Sequence, residues 1–469
     1  MSNEPLMEPI MSKYKMRKNI VTRMAASIIA AFLFQFCNSP KEGQMTEDQS
    51  KAAIQIVSLD PGHFHAGLIH KSMYPEVDST IHVYAPEGEE LRDYLKRIAG
   101  YNERAEDPTA WNIEIYTGDD FLQEMIRQKA GNVMVVAGKN DRKIDYILAA
   151  LENDINVYAD KPLVINPEGF QKLKKAFAIA EQKDLLFYDI MTERFEISTI
   201  LQRELSMIPE VFGTIEKGTL ENPAITKESV HHFFKYVSGA PLIRPEWFFD
   251  TEIEGSGLVD VTTHLVDLVQ WEVFPEKALD TADVEMLEAE LLPTSLNYEQ
   301  YELVTRKKPP FENGETLDVM ANGEMNYTLK GVHAKVSVKW AYQAPEGTAD
   351  THYSIMRGSK ANLIIRQGAN ESYKPVLYVK LLEDQAEALE KAVLTDLQGK
   401  YPGIGLTKLE TGEYKIEVPS SYSVGHEAHF AQVTENYLKY FKAGELPDWE
   451  VPNMIVKYYT TTQAFAAAQ

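Results

Sequence analysis

Apolar and polar positions along this chain follow two periods. Residues 54–59 (IQIVSL) are apolar and β-branched, as a buried strand should be. The loop Asp60–Gly67 (DPGHFHAG) follows, and then a stretch of helical character. The same alternation recurs at 80–85 (TIHVYA), at 133–137 (VMVVA) with the helical pattern IDYILAALEND behind it, and at 155–159. Strands alternating with helices predict a parallel, doubly wound sheet, which binds ligands at the carboxyl ends of its strands. Farther along, residues 332–340 (VHAKVSVKW) alternate strictly, placing Val332, Ala334, Val336, Val338 and Trp340 on one face. This pattern predicts a half-buried strand in an antiparallel or mixed sheet. Residues 354–357 and 362–366 read as strand, turn and strand, and 373–382 and 414–418 add strands. Helices are expected at 384–398, 427–442 and 453–468. The fold class expected is α/β: a doubly wound parallel sheet followed by an α+β domain.

The first forty residues are different. Lys13 to Arg23 form a basic stretch, and Met24–Phe36 an apolar run of thirteen residues that ends at Cys37, the single cysteine. A basic segment before a short apolar one reads as an export signal. Its end resembles a bacterial lipoprotein signal, in which that cysteine is lipidated, although Phe36 is large for the cleavage box. The expected organisation is a signal over 1–37, a polar tether over 38–51, a dinucleotide-binding domain over 52–192 and a substrate and oligomerisation domain over 193–469. The expected location is periplasmic or cell-envelope, with a lipid anchor in the membrane.

Composition narrows the partners. The formal net charge is −23 over 469 residues, and the basic leader makes the remaining body more acidic still. Such a body repels phosphate backbones, so no nucleic-acid partner is expected. One cysteine excludes an internal disulfide framework and a cysteine-rich zinc site.

Candidate chemistry begins in the first loop. Strand, tight loop and helix can present backbone N–H groups to a pyrophosphate. Gly62, His63, Phe64, His65 and Ala66 are therefore cofactor candidates, although the G-x-G-x-x-G fingerprint is not intact. Glu87, just after the second strand, is the candidate for the ribose hydroxyls, and Arg92 for a 2′-phosphate, so NAD is expected with NADP left open. His63 and His65, read without an acidic third ligand, make a poor metal site, and no metal is expected.

Two further motifs carry a resemblance. Val133 to Pro162 reads as strand, Asn140, helix, strand and Asp160-Lys161-Pro162. Residues 255–271 (GSGLVDVTTHLVDLVQW) place Asp260, His264 and Asp267 in an Asp-x-x-x-His-x-x-Asp pattern, and Arg194 lies between the two motifs. Together these resemble the Gfo/Idh/MocA oxidoreductases, with Asp160 in place of the usual Glu of Glu-Lys-Pro. The resemblance implies a Rossmann domain, a nicotinamide cofactor contacted by Asn140, Asp160, Lys161 and Arg194, and a large open sheet through which a dimer or tetramer forms. It also implies a sugar or polyol substrate.

Hydride transfer needs a group to take the hydroxyl proton and a group to steady the reacting oxygen. If Gly255-Ser256-Gly257 opens a helix, Asp260 and His264 share one face of it, His264 as base and Asp260 either orienting it or binding a neighbouring substrate hydroxyl. Lys161 would hydrogen-bond the reacting oxygen. His232 and Trp247, in the segment before the second motif, are candidate sugar contacts. His426 and His429 read as surface or packing residues. The reaction expected is oxidation or reduction at a secondary alcohol or ketone carbon of a sugar or cyclitol, with the cofactor tightly held. The alternative is glycoside cleavage through transient oxidation of the sugar.

Overall fold

The computed structural model describes residues 54–469 apart from 238, 239, 345 and 347. The export signal, Cys37 and the tether lie outside the described residues. No helix among the described residues is long and apolar enough to cross a membrane.

The first half alternates strand and helix: β1 (Ile54–Leu59), α1 (His65–Ile69), β2 (Val77–Ala85), α2 (Glu89–Glu103), β3 (Asn112–Thr117), α3 (Phe121–Gln128), β4 (Val133–Val136), α4 (Lys143–Glu152), β5 (Asn156–Asp160), α5 (Pro167–Gln182) and β6 (Phe187–Ile190). All six strands pair in parallel, in the order β3-β2-β1-β4-β5-β6. The central strand β4 is buried at every position because helices cover both faces. The loops after β1 and β4 nearly touch: a Cβ on Gly138 would lie 2.4 Å from the carbonyl of Asp60, so only glycine fits there. This close approach brings the ligand-facing ends of the two strands together.

The second half continues with α6 (Ile197–Ser206), β7 (Ile225–Phe234), a small hairpin of β8 (Tyr236–Val237) and β9 (Ala240–Pro241), α7 (Thr262–Val273), β10 (Val284–Asn297), α8 (Tyr298–Thr305), β11 (Thr316–Leu329) and β12 (Val332–Gln343). Then come β13 (Thr351–Arg357), β14 (Ala361–Arg366), β15 (Val376–Leu381), α9 (Ala386–Lys391), β16 (Gly405–Lys408), β17 (Tyr414–Glu417), α10 (His426–Ala443) and α11 (Glu450–Ala467). Nine strands form one sheet in the order β10-β11-β12-β7-β13-β14-β15-β17-β16. Only β12 and β7 pair in parallel. The helix expected over 384–398 is α9 running on into a π-helical stretch, Ala392–Leu397.

The last two helices return to the first half. Phe430, Val433, Tyr437, Met454 and Tyr458 join the core of the parallel sheet. Tyr437 stacks on Tyr158 of β5 at 4.6 Å, and the Tyr158 hydroxyl meets Thr434 at 3.1 Å. A buried ionic lattice ties the same region together. Arg194 reaches Asp267 of α7 with two bonds of 2.6 and 2.7 Å and Glu450 of α11 at 2.8 Å. Lys457 bridges Asp267 at 2.9 Å and Asp189 of β6 at 2.7 Å.

Candidate active site

A cavity of about 660 Å³ opens between the carboxyl end of the parallel sheet and the face of the nine-stranded sheet. His63, His65, Lys161, Glu193, Glu196, His231, Lys235, Arg244, Glu254, Asp260, His264, Trp340, Asp350 and His426 are among its walls. A second cavity of about 380 Å³ adjoins it over the β1 loop, lined by Gly62, Glu89, Glu90, Asp93, Arg97 and Trp247. His63, Phe64, Leu242, Arg244 and Phe248 belong to both and form a neck between them.

Lys161 follows β5 directly, and its ammonium donates to Asp260 Oδ1 at 2.7 Å, each side chain being only 9% exposed. Burial alone would discharge this lysine, but Asp260 and Asp160 outweigh it and hold the pKa above the ordinary value. Asp260 sits in the turn ahead of α7, which starts at Thr262 and not at the glycines. A Cβ on Gly257 would lie 2.3 Å from the carbonyl of Ala321 in β11, so this turn is packed on the backbone of the second sheet. The expected Asp260–His264 pair is therefore not formed. Asp260 binds Lys161, and Nδ1 of His264 is buried without a hydrogen-bond partner among the described residues. Burial, then the charge of Lys161, push the His264 pKa well down and keep the ring neutral. Nε2 is thus the nitrogen this ring can offer to a ligand.

Below this pair lies a layer that motif reading missed. Lys143, fully buried, donates to Asn140 Oδ1 at 2.5 Å and to the carbonyls of Asp160 at 2.9 Å and Pro162 at 3.0 Å. Burial lowers its pKa to about 8 against the pull of Asp160 and Glu254. Asn140 in turn donates to the carbonyl of Glu254 at 2.6 Å. Burial, helped by Asp260, pushes the Glu254 carboxyl well up. Asn140 is thus a strut under the site and lines neither cavity. The charged run around Lys143 (Lys139-Asn140-Asp141-Arg142) makes it read as a solvated lysine and gives no sign of this role.

Other placements correct the sequence reading. Arg194 does not face the cavity, because its guanidinium is spent on Asp267 and Glu450. Glu87 is exposed, and Glu89 and Glu90 line the second cavity in its stead. Trp247 lies in that second cavity, its indole N–H donating to Glu90 Oε1 at 3.0 Å, so it belongs to the cofactor half. His231 lines the main cavity. His232 is held behind it by a 2.8 Å bond to Asp350. Ala66 is fully buried within α1. His426 is exposed, as expected, and also lines the cavity, with its ring 5.6 Å from His65. The argument against a metal also changes, because the fold supplies the missing acid: His65 Nδ1 lies 2.9 Å from Asp160 Oδ2. Glu193 and Glu196 are half-buried on the cavity wall, and burial raises both, Glu196 to about 7.

The residues fit a dinucleotide. The two cavities form one trough across the carboxyl ends of the strands. Gly62 leaves room in it, the nearest atoms standing 3.7–3.8 Å from where a Cβ would be. Glu89 and Glu90 offer acceptors at its far end, and Lys161 and His264 stand at the other.

Residues 201–469 match the family described as "Putative oxidoreductase C terminal domain", and residues 82–188 match "Oxidoreductase family, NAD-binding Rossmann fold". The crystal structure of a "putative oxidoreductase" from Parabacteroides merdae is 50% identical with a TM-score of 0.87, over 89% of this chain and 98% of that one. Levoglucosan dehydrogenase in complex with NADH and levoglucosan shares the fold at 14% identity and a TM-score of 0.57, over 88% of this chain and 96% of its own. The "Putative oxidoreductase YteT" of Bacillus subtilis is 24% identical over 169 residues, which span 34% of this chain and 36% of that relative.

Proposed function

This chain belongs to the Gfo/Idh/MocA family of NAD-binding oxidoreductases, and we propose that it transfers a hydride between the nicotinamide and a secondary alcohol or ketone carbon of a sugar or cyclitol. The observation that carries the reading is the buried Lys161–Asp260 pair, standing with neutral His264 on the wall of the trough. The nicotinamide, when bound, supplies the site that accepts or returns the hydride. Lys161 donates to the substrate oxygen and stabilises the negative charge that develops there. Asp260 keeps that lysine charged and aimed. His264 accepts the hydroxyl proton at Nε2 during oxidation and returns it during reduction. Trp340 and the His231–Asp350–Lys235 group give a sugar an aromatic face and polar edges. The fold shared with levoglucosan dehydrogenase supports this substrate class. NAD is favoured over NADP by Glu89 and Glu90 in the second cavity, whose carboxylates offer acceptors to ribose hydroxyls. The test is NADH absorbance with a panel of sugars and cyclitols. A panel that gives no cofactor turnover and no sugar-dependent spectral change counts against the reading.

A second reading is favoured by Glu193 and Glu196. Glycoside cleavage through transient oxidation needs an acid for the departing oxygen and a base for the proton beside the new ketone. Two half-buried carboxyls on the same cavity wall supply those types. Sugar release without net change in NADH would select this reading. The same proposal includes export, lipid attachment at Cys37 and a cofactor that stays bound. Cys37→Ser should move the protein from the membrane to the soluble fraction, and extensive dialysis should leave nicotinamide on the wild type. Assembly as a dimer or tetramer through the open face of the large sheet is checked by sedimentation.

A further inference from the structure

We propose that His63, His65 and Asp160 form a binding site for a divalent transition metal of the zinc class, at the neck between the two cavities. The three residues come from the β1 loop and the end of β5, far apart in the chain. Their ligand atoms all lie within 4.8 Å of one another. A tetrahedral zinc ion with bonds of roughly 2.0–2.2 Å holds its ligand atoms roughly 3.2–3.6 Å apart. The observed separations from the carboxylate, 2.9 Å to His65 Nδ1 and 3.8 Å to His63 Nδ1, bracket that spacing.

Proton placement shows what a metal would displace. Nδ1 of His63 accepts from the His65 backbone N–H at 3.3 Å, so that nitrogen carries a lone pair and the ring proton sits on Nε2. Nδ1 and the Asp160 carboxylate are then two acceptors 3.8 Å apart with no proton to share. A cation between them would take the His63 lone pair from its long 3.3 Å backbone contact and replace the proton that His65 Nδ1 shares with Asp160 at 2.9 Å. The neighbouring ammonium groups are turned to other partners: Lys161 to Asp260, and Lys143 to Asn140 and to the carbonyls of Asp160 and Pro162. The Lys143 bond to the Asp160 carbonyl also fixes the backbone of that ligand. Catalytic zinc sites combine three protein ligands with one open position. His63 and His65 line the cavity, so an open position here faces the trough and a ligand oxygen, such as a sugar hydroxyl or ketone. Two imidazoles and one carboxylate suit zinc and not a hard cation such as magnesium.

The test needs no turnover, so its outcome is independent of the hydride-transfer reading. The protein is stripped with a chelator, desalted and titrated with zinc by calorimetry, and its metal content is measured after gel filtration. A parallel sample takes cobalt(II), whose visible absorption bands report low-coordinate nitrogen and oxygen ligation. We expect roughly one ion per chain. His65→Ala and Asp160→Asn should each weaken binding by about a hundredfold or more. Failure of the wild type to retain zinc or develop cobalt bands would overturn the proposal. Equal affinity and stoichiometry in the folded His63→Ala/His65→Ala variant, checked by circular dichroism, would overturn it as well.

Discussion

Replacing Arg194 separates two roles that sequence alone confuses. In the fold its guanidinium is the main counter-charge to Asp267 and Glu450, with four contacts of 2.6–3.1 Å. Arg194→Met leaves three buried carboxylates, Asp189, Asp267 and Glu450, with Lys457 as the cation still bonded among them. Breaking a buried pair in this way costs about 3–5 kcal/mol, because the abandoned charges stay desolvated. Urea denaturation reads that loss. Acid titration gives a second sign. Arg194 and Lys457 overcome burial and hold the Asp267 carboxyl well below the usual carboxylate range. A depressed carboxylate contributes stability that is present above its unfolded pKa and lost only as pH falls through the folded one. The wild type should therefore keep this contribution as pH falls below the ordinary carboxylate range, and the variant should give way earlier. NAD affinity, measured by fluorescence quenching, should change little. A variant that loses under about 1 kcal/mol of stability but binds NAD tenfold more weakly would refute the argument and place Arg194 on the cofactor.

Three further outcomes follow from the site. Lys161→Met should lower turnover by about a hundredfold or more; it should also cost a few kcal/mol in a melt, since Asp260 is left buried and unpaired, and wild-type activity would remove its role. His264→Ala should slow single-turnover reduction of NAD by roughly 10²–10⁴-fold, and an unchanged rate moves the base elsewhere. Glu196, raised from 4.5 to about 7 by burial, contributes stability that is fully present below pH 4.5 and is lost as pH rises to about 7. Glu196→Gln should therefore flatten the fall of wild-type stability across that window, by up to about 3 kcal/mol, and parallel curves for the two proteins would refute the assignment.

What could be read in the chain beforehand follows its physics. Strands β1, β2, β4 and β5 announce themselves because their buried stretches are rich in apolar and β-branched residues. Strand β3 (NIEIYT) is an edge strand exposed at every other position or more, and its polar residues hide it. Strands β10 and β11 carry glutamates, Asn322 and Gly323 within long, bent ladders, so no clean alternation survives. Lys161, Asp260 and His264 were legible through their motifs. Their pairing was not, because it depends on where α7 begins. The contacts His65 to Asp160 and Asn140 to Glu254 join residues 95 and 114 positions apart, and periodicity carries no information about such pairs. Arg194 was legible as important and misread in kind, since a buried ion lattice and a cofactor contact place the same residue type at the same motif.

The return of α10 and α11 to the parallel sheet has a consequence for synthesis. The nucleotide-binding half is translated first, yet Phe430, Tyr437, Met454 and Tyr458, which complete its core, are made only after every strand of the nine-stranded sheet. Until they arrive, Tyr158 lacks its stacking partner, and Asp189 lacks both the ammonium of Lys457 and the hydroxyl of Tyr458. An N-terminal domain that cannot close by itself gives the nascent chain no early, self-sufficient folded stage. Segments 52–192 and 193–469, expressed apart, should each fail as independent domains and regain solubility when supplied together. The two halves are wound into each other by the order in which the chain is made, and a truncation that removes α10 and α11 strikes the cofactor domain first.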